Sequence, residues 1–434
     1  MTTPTRTALL AGCLVFAASC AQEDTSPDVV LVGGPIVSPG SIWMSGAEPD
    51  PETPDAIAIK DGRVLAVGRS DEVRRMAGAG TRVVELAGRT VLPGLTDNHL
   101  HSIGGGEGVD LSGTRTLEDV AGALAERASE VEPGDVVVTN SDWHEGQLLE
   151  QRLPYRDDLD QAVPDHPVVV VRGGHEYILN SAALERWGID ESTPDVPGGR
   201  IGRYEDGRLN GELVDRAKDY VSLPARGEIF EEDVLSGLEA QYVTLNRRGV
   251  TSVRHPGGAL DQLERIERLE AEGRLSMRVD FLFRAPRSAS PEAVAEAIAF
   301  WPEPPTKEES AASAANSLVR LGGVKLGVDG GFEGGLMRDP YEEPWGEGGT
   351  FYGLQTVPRE AFFESVRLLG EAGWRVATHA VGDAAIDLVL DAYDEFDRSS
   401  ALDGERWVIE HGFIPRPDQF ERMLRMGLAV SAQD

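Results

Sequence analysis

Hydrophobic and polar positions fall into two textures along the chain. Between Val29 and about Val91, short apolar runs ("DVVLVGGPIVS", "AIAIKDGRVLAVG", "TRVVELAGRTVLPG") are broken by Gly, Pro and Asp-Gly turn signals and predict a small β-domain. Downstream, helical patterns alternate with strand-like runs: "LEDVAGALAERASEV" then "GDVVVTNSDW", "EDVLSGLEAQYVTLNRRG" then "VTSVRHPGG", "LDQLERIERLEAEGRL" then "MRVDFLFRA". "LVRLGGVKLGVDGG", "REAFFESVRLLGEAG" then "WRVATHAVGD", and "WVIEHGF" continue the series. Such alternation predicts a parallel sheet, and 434 residues favour a (β/α) barrel with a smaller domain over an open doubly wound sheet. From Asp142 to about Ser222, Pro, Gly and charge dominate, as in "VPGGRIGRYEDGRLNGE", which predicts an excursion over the barrel mouth. No GxGxxG or phosphate loop falls among the turns, against nucleotide binding.

A net charge of -33, spread along the chain, opposes binding to phosphate backbones and otherwise describes a solvated surface. The N-terminus changes the picture. "MTTPTRTALLAGCLVFAASC" has one basic residue, Arg6, an apolar stretch from Ala8 to Ala18 and small residues before Cys20, the layout of a secretory signal. "AASC" resembles a lipoprotein lipobox, with Ala17 where Leu is usual; cleavage without lipidation is the alternative. Residues 1–20 are thus expected as a signal peptide of lipoprotein type, with Cys20 lipidated, and 21–28 as a tether. The chain is expected to be exported and held on a membrane only through that anchor, or otherwise secreted. Cys13 lies inside the signal, so a processed chain keeps no pair of cysteines for a disulfide.

Chemistry in a barrel gathers at the C-terminal ends of strands, and five polar residues close or interrupt apolar strands here. His99 and His101 close "TVLPGLTDNHLH", where residues two apart on a strand share a face. Lys325 interrupts "LVRLGGVKLGVDGG", His379 closes "WRVATHAVGD" and His411 closes "WVIEHGF". Neutral imidazole suits zinc or another divalent ion. Lysine is scarce, at Lys60, Lys218, Lys307 and Lys325, and burial of Lys325 would favour the neutral amine, which takes up carbon dioxide as a carbamate. Such a group bridges two metals roughly 3.5–4 Å apart. A lysine paired with a carboxylate such as Asp329 is the competing reading.

At these residues the chain resembles the amidohydrolase superfamily, and within it the amidohydrolase-3 or YtcJ-like branch that includes N-substituted formamide deformylases. "LPGLTDNHLH", the stretch from "SDWHEGQLLEQRLPYRDDLDQAVPDHP" to "VVVVRGGHEYILNSAAL", "VKLGVDG", "THAVGDAAID" and "IEHGFIPRPD" occur in family order. The resemblance implies a (β/α)8 barrel over 92–434, with the excursion at about 142–222, and a small β-sandwich of which 29–91 is the N-terminal part. It implies one or two divalent ions, commonly zinc: His99 and His101 on the more buried one, Lys325 bridging as carbamate, His379 and His411 on the second. It also implies that His175 in "RGGHEYILNSAAL" faces the substrate; the alternative is a loop histidine bonded to backbone. His255 in "VTSVRHPGG" is equally a strand cap, Trp143 is equally packing, and His144 and His166 carry no assignment.

Family members run on to further strands and an aspartate that acts as general base. This chain is read as incomplete at its C-terminus, with that base not present, since Asp434 is a poor substitute. The implied reaction is hydrolysis of a non-peptide C–N bond, in an amide, formamide or cyclic amide, by metal-activated hydroxide. Two other readings compete: a non-catalytic metal- or ligand-binding lipoprotein on the same fold, and an open-sheet solute-binding protein. A small molecule is the expected partner, nucleic acid is not, and a homodimer is left open.

Overall fold

Val30 and Val32 are fully buried while Val29 and Leu31 are only partly so, the two-residue alternation of a strand with one covered face. In this computed structural model, residues 25–37, 53–101, 108–224, 230–287, 289–342, 345–400, 402 and 404–432 are described. The signal, tether start and lipidation expectations at residues 1–24, including Cys13 and Cys20, and the terminal Asp434 lie outside them. The chain divides into two units, Met1–Gly94 and Leu95–Asp434.

In the first unit, β1 (Val29–Val32), β2 (Ala56–Lys60), β3 (Arg63–Gly68) and β4 (Arg82–Glu85) form one sheet in the order β3-β2-β1-β4. Asp61 and Gly62, both at positive φ, make the two-residue hairpin turn between β2 and β3. Val30, Val32, Ala56, Ala58 and Val73 supply its core.

The second unit opens with β5 (Leu95–Asp97). A five-stranded sheet follows, built from β6 (Val137–Val138), β7 (Val168–Arg172), β8 (Glu176–Leu179), β9 (Gly199–Arg203) and β10 (Leu209–Asp215) in the order β6-β7-β8-β10-β9. Residues 142–222 thus hold four of its strands and two α-helices, Arg156–Ala162 and Ser181–Trp187. The run "GDVVVTNSDW" supplies β6 to this sheet and does not enter the main parallel one.

That main sheet joins β5 to β11 (Val250–Gly258), β12 (Arg278–Arg284), β13 (Val319–Gly327), β14 (Val376–Ala380), β15 (Val408–His411) and β16 (Ala429–Ala432). Every neighbouring pair is parallel, with helices in the crossovers. Six such strands are readable in the sequence; the sheet has seven because Ala429–Ala432 adds a pairing to β15. Phe281 and Phe283 of β12 pack with Trp407 and with Phe362 and Val366 of the helix Arg359–Glu371 between sheet and helices, and Phe283 stacks on Trp301 at 5.1 Å. The sheet curls until its first strand meets its last: Asn98, just after β5, donates to the Ser431 hydroxyl on β16 at 2.9 Å. This is the α/β architecture of the TIM-type barrel, with all C-terminal strand ends on one rim. Among the described residues no helix is long and apolar enough to cross a membrane.

Candidate functional site

Curling brings the strand ends around one cavity of about 880 Å³. His99, His101, His175, His255, Lys325, His379 and His411 all line it. His144, His166 and Trp143 do not. His144 caps a short helical turn, its Nδ1 accepting from the Gly146 N–H, and His166 bonds the Asp135 carbonyl. Trp143 is buried and donates to the Val171 carbonyl.

His99 and His101 project from the end of β5 with their Nε2 atoms 3.2 Å apart. His99 Nδ1 lies 2.9 Å from Glu410, so its proton sits on that nitrogen and its Nε2 lone pair faces His101. His255 holds the segment from behind, its Nδ1 donating to the Leu100 carbonyl at 2.9 Å. The His99 and His411 rings are 4.6 Å apart, and those of His379 and His411 are 4.5 Å apart. His379 Nε2 donates to the Gly330 carbonyl at 3.0 Å, which leaves Nδ1 with the lone pair. His411 has φ of +71°, unusual outside glycine, and this turn of the backbone re-aims its ring from the direction that strand alternation would give it.

Lys325 is 9 % exposed, and its ammonium has no ion pair or hydrogen bond among the described residues. Burial pushes it down to about 7, against the pull of Glu410, so the neutral amine is well populated at neutral pH. Its charge in turn depresses His99, His101 and His379, which places it among all three. Burial is the larger cause for each histidine, and His101 falls to about 3. Asp329 is no partner to Lys325. Buried in its own cradle, it accepts from the Leu336, Val381 and Gly382 N–H groups at 2.9–3.1 Å.

Glu410 and Arg254 are the site residues that inspection of the histidines misses. Glu410 is fully buried; burial alone would raise it, yet the His99 bond and the Lys325 and Arg254 charges hold it well below the ordinary carboxylate range. Arg254 bonds it from β11 and stands 3.8 Å from Asp280. Both could be found by the signal that marks Lys325, a charge inside an apolar strand. On the far wall, His175 Nδ1 lies 2.6 Å from Asp215, whose backbone has φ of +48°.

The donor chemistry fits a divalent cation. Two depressed imidazoles with Nε2 atoms facing each other, a carboxylate behind one of them and an unpartnered buried lysine are what a neutral-ligand metal site needs and a hydrophobic core does not. Among the described residues, no group of three or more His, Cys, Asp or Glu stands ready as a closed cage. The donors come instead as the pairs His99–His101 and His379–His411 with Lys325 beside them.

Comparison with known proteins identifies the family. The amidohydrolase family profile (amidohydrolase-3) matches residues 82–434. YtcJ of Bacillus subtilis (strain 168) is 27% identical over 390 residues, 87% of this chain and 69% of its own. The N-substituted formamide deformylase of Arthrobacter pascens is 27% identical over 389 residues, 87% of this chain and 69% of its own. The protein LONG AFTER FAR-RED 3 of Arabidopsis thaliana is 28% identical over 428 residues, 95% of this chain and 70% of its own. Among solved structures, an uncharacterized metal-dependent hydrolase from Pyrococcus furiosus superposes with a TM-score of 0.59 at 25% identity, covering 93% of this chain and 76% of that one. With the profile running across the whole curled sheet and every strand-end residue described above, this protein belongs to the amidohydrolase family of hydrolases.

Proposed function

We propose that the chain hydrolyses a non-peptide C–N bond of a small molecule, an amide, formamide or cyclic amide. The observation that carries this is the meeting of four histidines from three strand ends around an unpartnered, buried Lys325 in one cavity. The formamide deformylase among the relatives supports the bond type. His99 and His101 would hold one divalent ion, His379 and His411 a second, zinc being the ordinary choice for imidazole, with Lys325 as carbamate between them. A bound ion supplies activation of water and polarisation of the scissile carbonyl. The chain's own residues do the rest: Glu410 orients His99, Gly330 fixes the tautomer of His379, and His175 presents its ring beside His379, at 5.3 Å, toward the substrate space. Export as a lipoprotein through Cys20 belongs to the same proposal, and labelling with a palmitate analogue in cells tests it.

Elemental mass spectrometry on protein purified without chelators, beside turnover of a panel of formamides, amides and cyclic imides, tests the reaction. Bound divalent metal with turnover lost on its removal is expected. Folded protein that neither takes up metal nor turns over any member of the panel would overturn the proposal.

A further inference from the structure

Arg284 closes β12 and Arg287 follows three residues later, and both are exposed on the cavity that holds His99, His101 and Lys325. Arg284 is fixed in place. Its Nε donates to the Gly257 carbonyl at 2.9 Å, and its guanidinium lies so close over that glycine that an added Cβ would stand 3.4 Å from it. This bond uses one of five N–H donors. Among the described residues, neither arginine has a carboxylate partner, and Arg284 makes no second hydrogen bond. Burial, then the charge of Arg287, depresses Arg284, and Arg287 also acts on Lys218 across the cavity. Arg287 thus acts on two other cations that line the same cavity.

Among the described residues, none of the aspartates on the same walls pairs with either arginine. Asp97 accepts the His99 N–H at 3.0 Å, Asp215 bonds His175, Asp329 holds its three backbone N–H groups, and Asp219 pairs with Arg216 at 3.6 Å. Asp142 forms no ion pair with either arginine among the described residues. A chain with 74 acidic and 41 basic residues leaves two guanidinium groups unmatched and repelling each other where substrate must enter. An arriving oxyanion would relieve that repulsion through paired, charge-assisted hydrogen bonds.

We infer that Arg284 and Arg287 form a subsite for a carboxylate carried by the substrate. The substrate class is accordingly an N-acyl or N-formyl compound bearing a carboxylate near its scissile bond. Several aspartates on the same walls disfavour a dianion, so a monoanion is the chemistry assigned. The choice of scissile bond rests on the proposed hydrolysis; the anion subsite itself is read out by binding alone.

The test is calorimetric titration of the full chain with N-formylglycine and with its neutral counterpart N-formylglycinamide, with turnover of both followed in parallel. The wild type should prefer the carboxylate by on the order of tenfold or more, the scale of a charge-assisted contact. Arg284→Met and Arg287→Met should each bring that ratio toward one, and Arg284→Lys should keep part of it. The surface control Arg265→Met, on an arginine paired with Glu231 and Asp261, should leave it unchanged. Circular dichroism identifies a variant that has lost its fold, and the lysine variant then carries the comparison. An arginine-dependent preference without turnover upholds the subsite and excludes these N-formyl compounds as substrates of the proposed hydrolysis. Turnover with no preference does the reverse. A preference that survives both methionine substitutions places the carboxylate elsewhere and overturns the inference.

Discussion

Glu410 on β15 lies 2.9 Å from Nδ1 of His99 at the end of β5, although 311 residues separate them in sequence. The contact crosses the curled sheet from its first strand to its sixth. It joins two jobs in one bond: it ties opposite parts of the sheet together and sets the His99 tautomer, so that Nε2 offers its lone pair to the cavity.

Glu410→Gln keeps the shape and one acceptor oxygen but removes the charge. Metal affinity should fall by about 10–100-fold, as is usual when the group behind a histidine ligand is changed. Arg254 would be left buried without its main counter-charge, and loss of one partner from a buried ion pair costs about 3–5 kcal/mol. Competition with a chromophoric chelator measures the first effect and urea denaturation of metal-free protein the second. Unchanged metal affinity in a folded variant would remove Glu410 from the site.

Lys325, with a pKa pushed down to about 7 by burial, should take up carbon dioxide when metal is supplied. Metal-free protein reconstituted with zinc and 13C-bicarbonate should show a carbamate carbon signal and bind more metal than protein reconstituted without carbon dioxide. Lys325→Arg keeps a cation that cannot deprotonate, and should show no signal and at most one ion per chain. Equal metal content with and without bicarbonate would leave Lys325 as an unmodified residue.

The features legible in the sequence are those carried by period and by charge in the wrong place. Alternating strands and helices announce the parallel sheet, and Lys325 stands out because an apolar strand has no use for an ammonium. Arg254 in "VTSVRHPGG" and Glu410 in "WVIEHGF" carry the same mark. Two features are not legible. The strands "GRIGR" and "LNGELVD" of the five-stranded sheet mix Gly, Arg and Asn with apolar residues and look like loop, because their stability comes from pairing with β8 and with each other. The aim of His411 depends on a positive φ that no residue preference foretells.

Acid should weaken the fold through the histidines. Burial first, then neighbouring cations, hold His101 down to about 3 against an ordinary 6.5, so between these values the unfolded chain binds more protons than the folded one. Stability from this source is therefore complete above about pH 6.5 and declines as pH falls toward 3. Asp329, pushed up to about 7 by burial, acts with the opposite sign: it holds its proton longer in the fold, so its contribution declines as pH rises from about 4 to 7. The two are separated by a difference measurement. In metal-free protein, His101→Gln should show a shallower rise of unfolding free energy than wild type below pH 6.5, and the two curves should run parallel above it. Curves parallel over the whole range would show that His101 is not depressed in the fold.

Gly382→Ala should be among the most damaging single-methyl additions in the chain. Gly382 follows β14 in "THAVGD", and its N–H donates to Asp329 at 2.9 Å. A Cβ built there would stand 1.9 Å from the Leu336 carbonyl oxygen, and the obstacle is backbone. Relief requires the Leu336 segment or the Asp329 cradle to move. Moving the cradle leaves a fully buried carboxyl with fewer N–H partners, at about 1–3 kcal/mol for each unsatisfied group. Asp329 is four residues beyond Lys325 on the same chain segment, and His379 Nε2 bonds the carbonyl of its neighbour Gly330, so displacement reaches two proposed metal-site residues together. The expected result is a loss of several kcal/mol in urea denaturation with a matching loss of metal binding. Asp329→Asn, which keeps the volume and one acceptor, should lose less of both. If Gly382→Ala matches wild type in stability, the close approach of Gly382 to Leu336 is not a constraint on the fold, and the cradle does not position the lysine and histidine behind it.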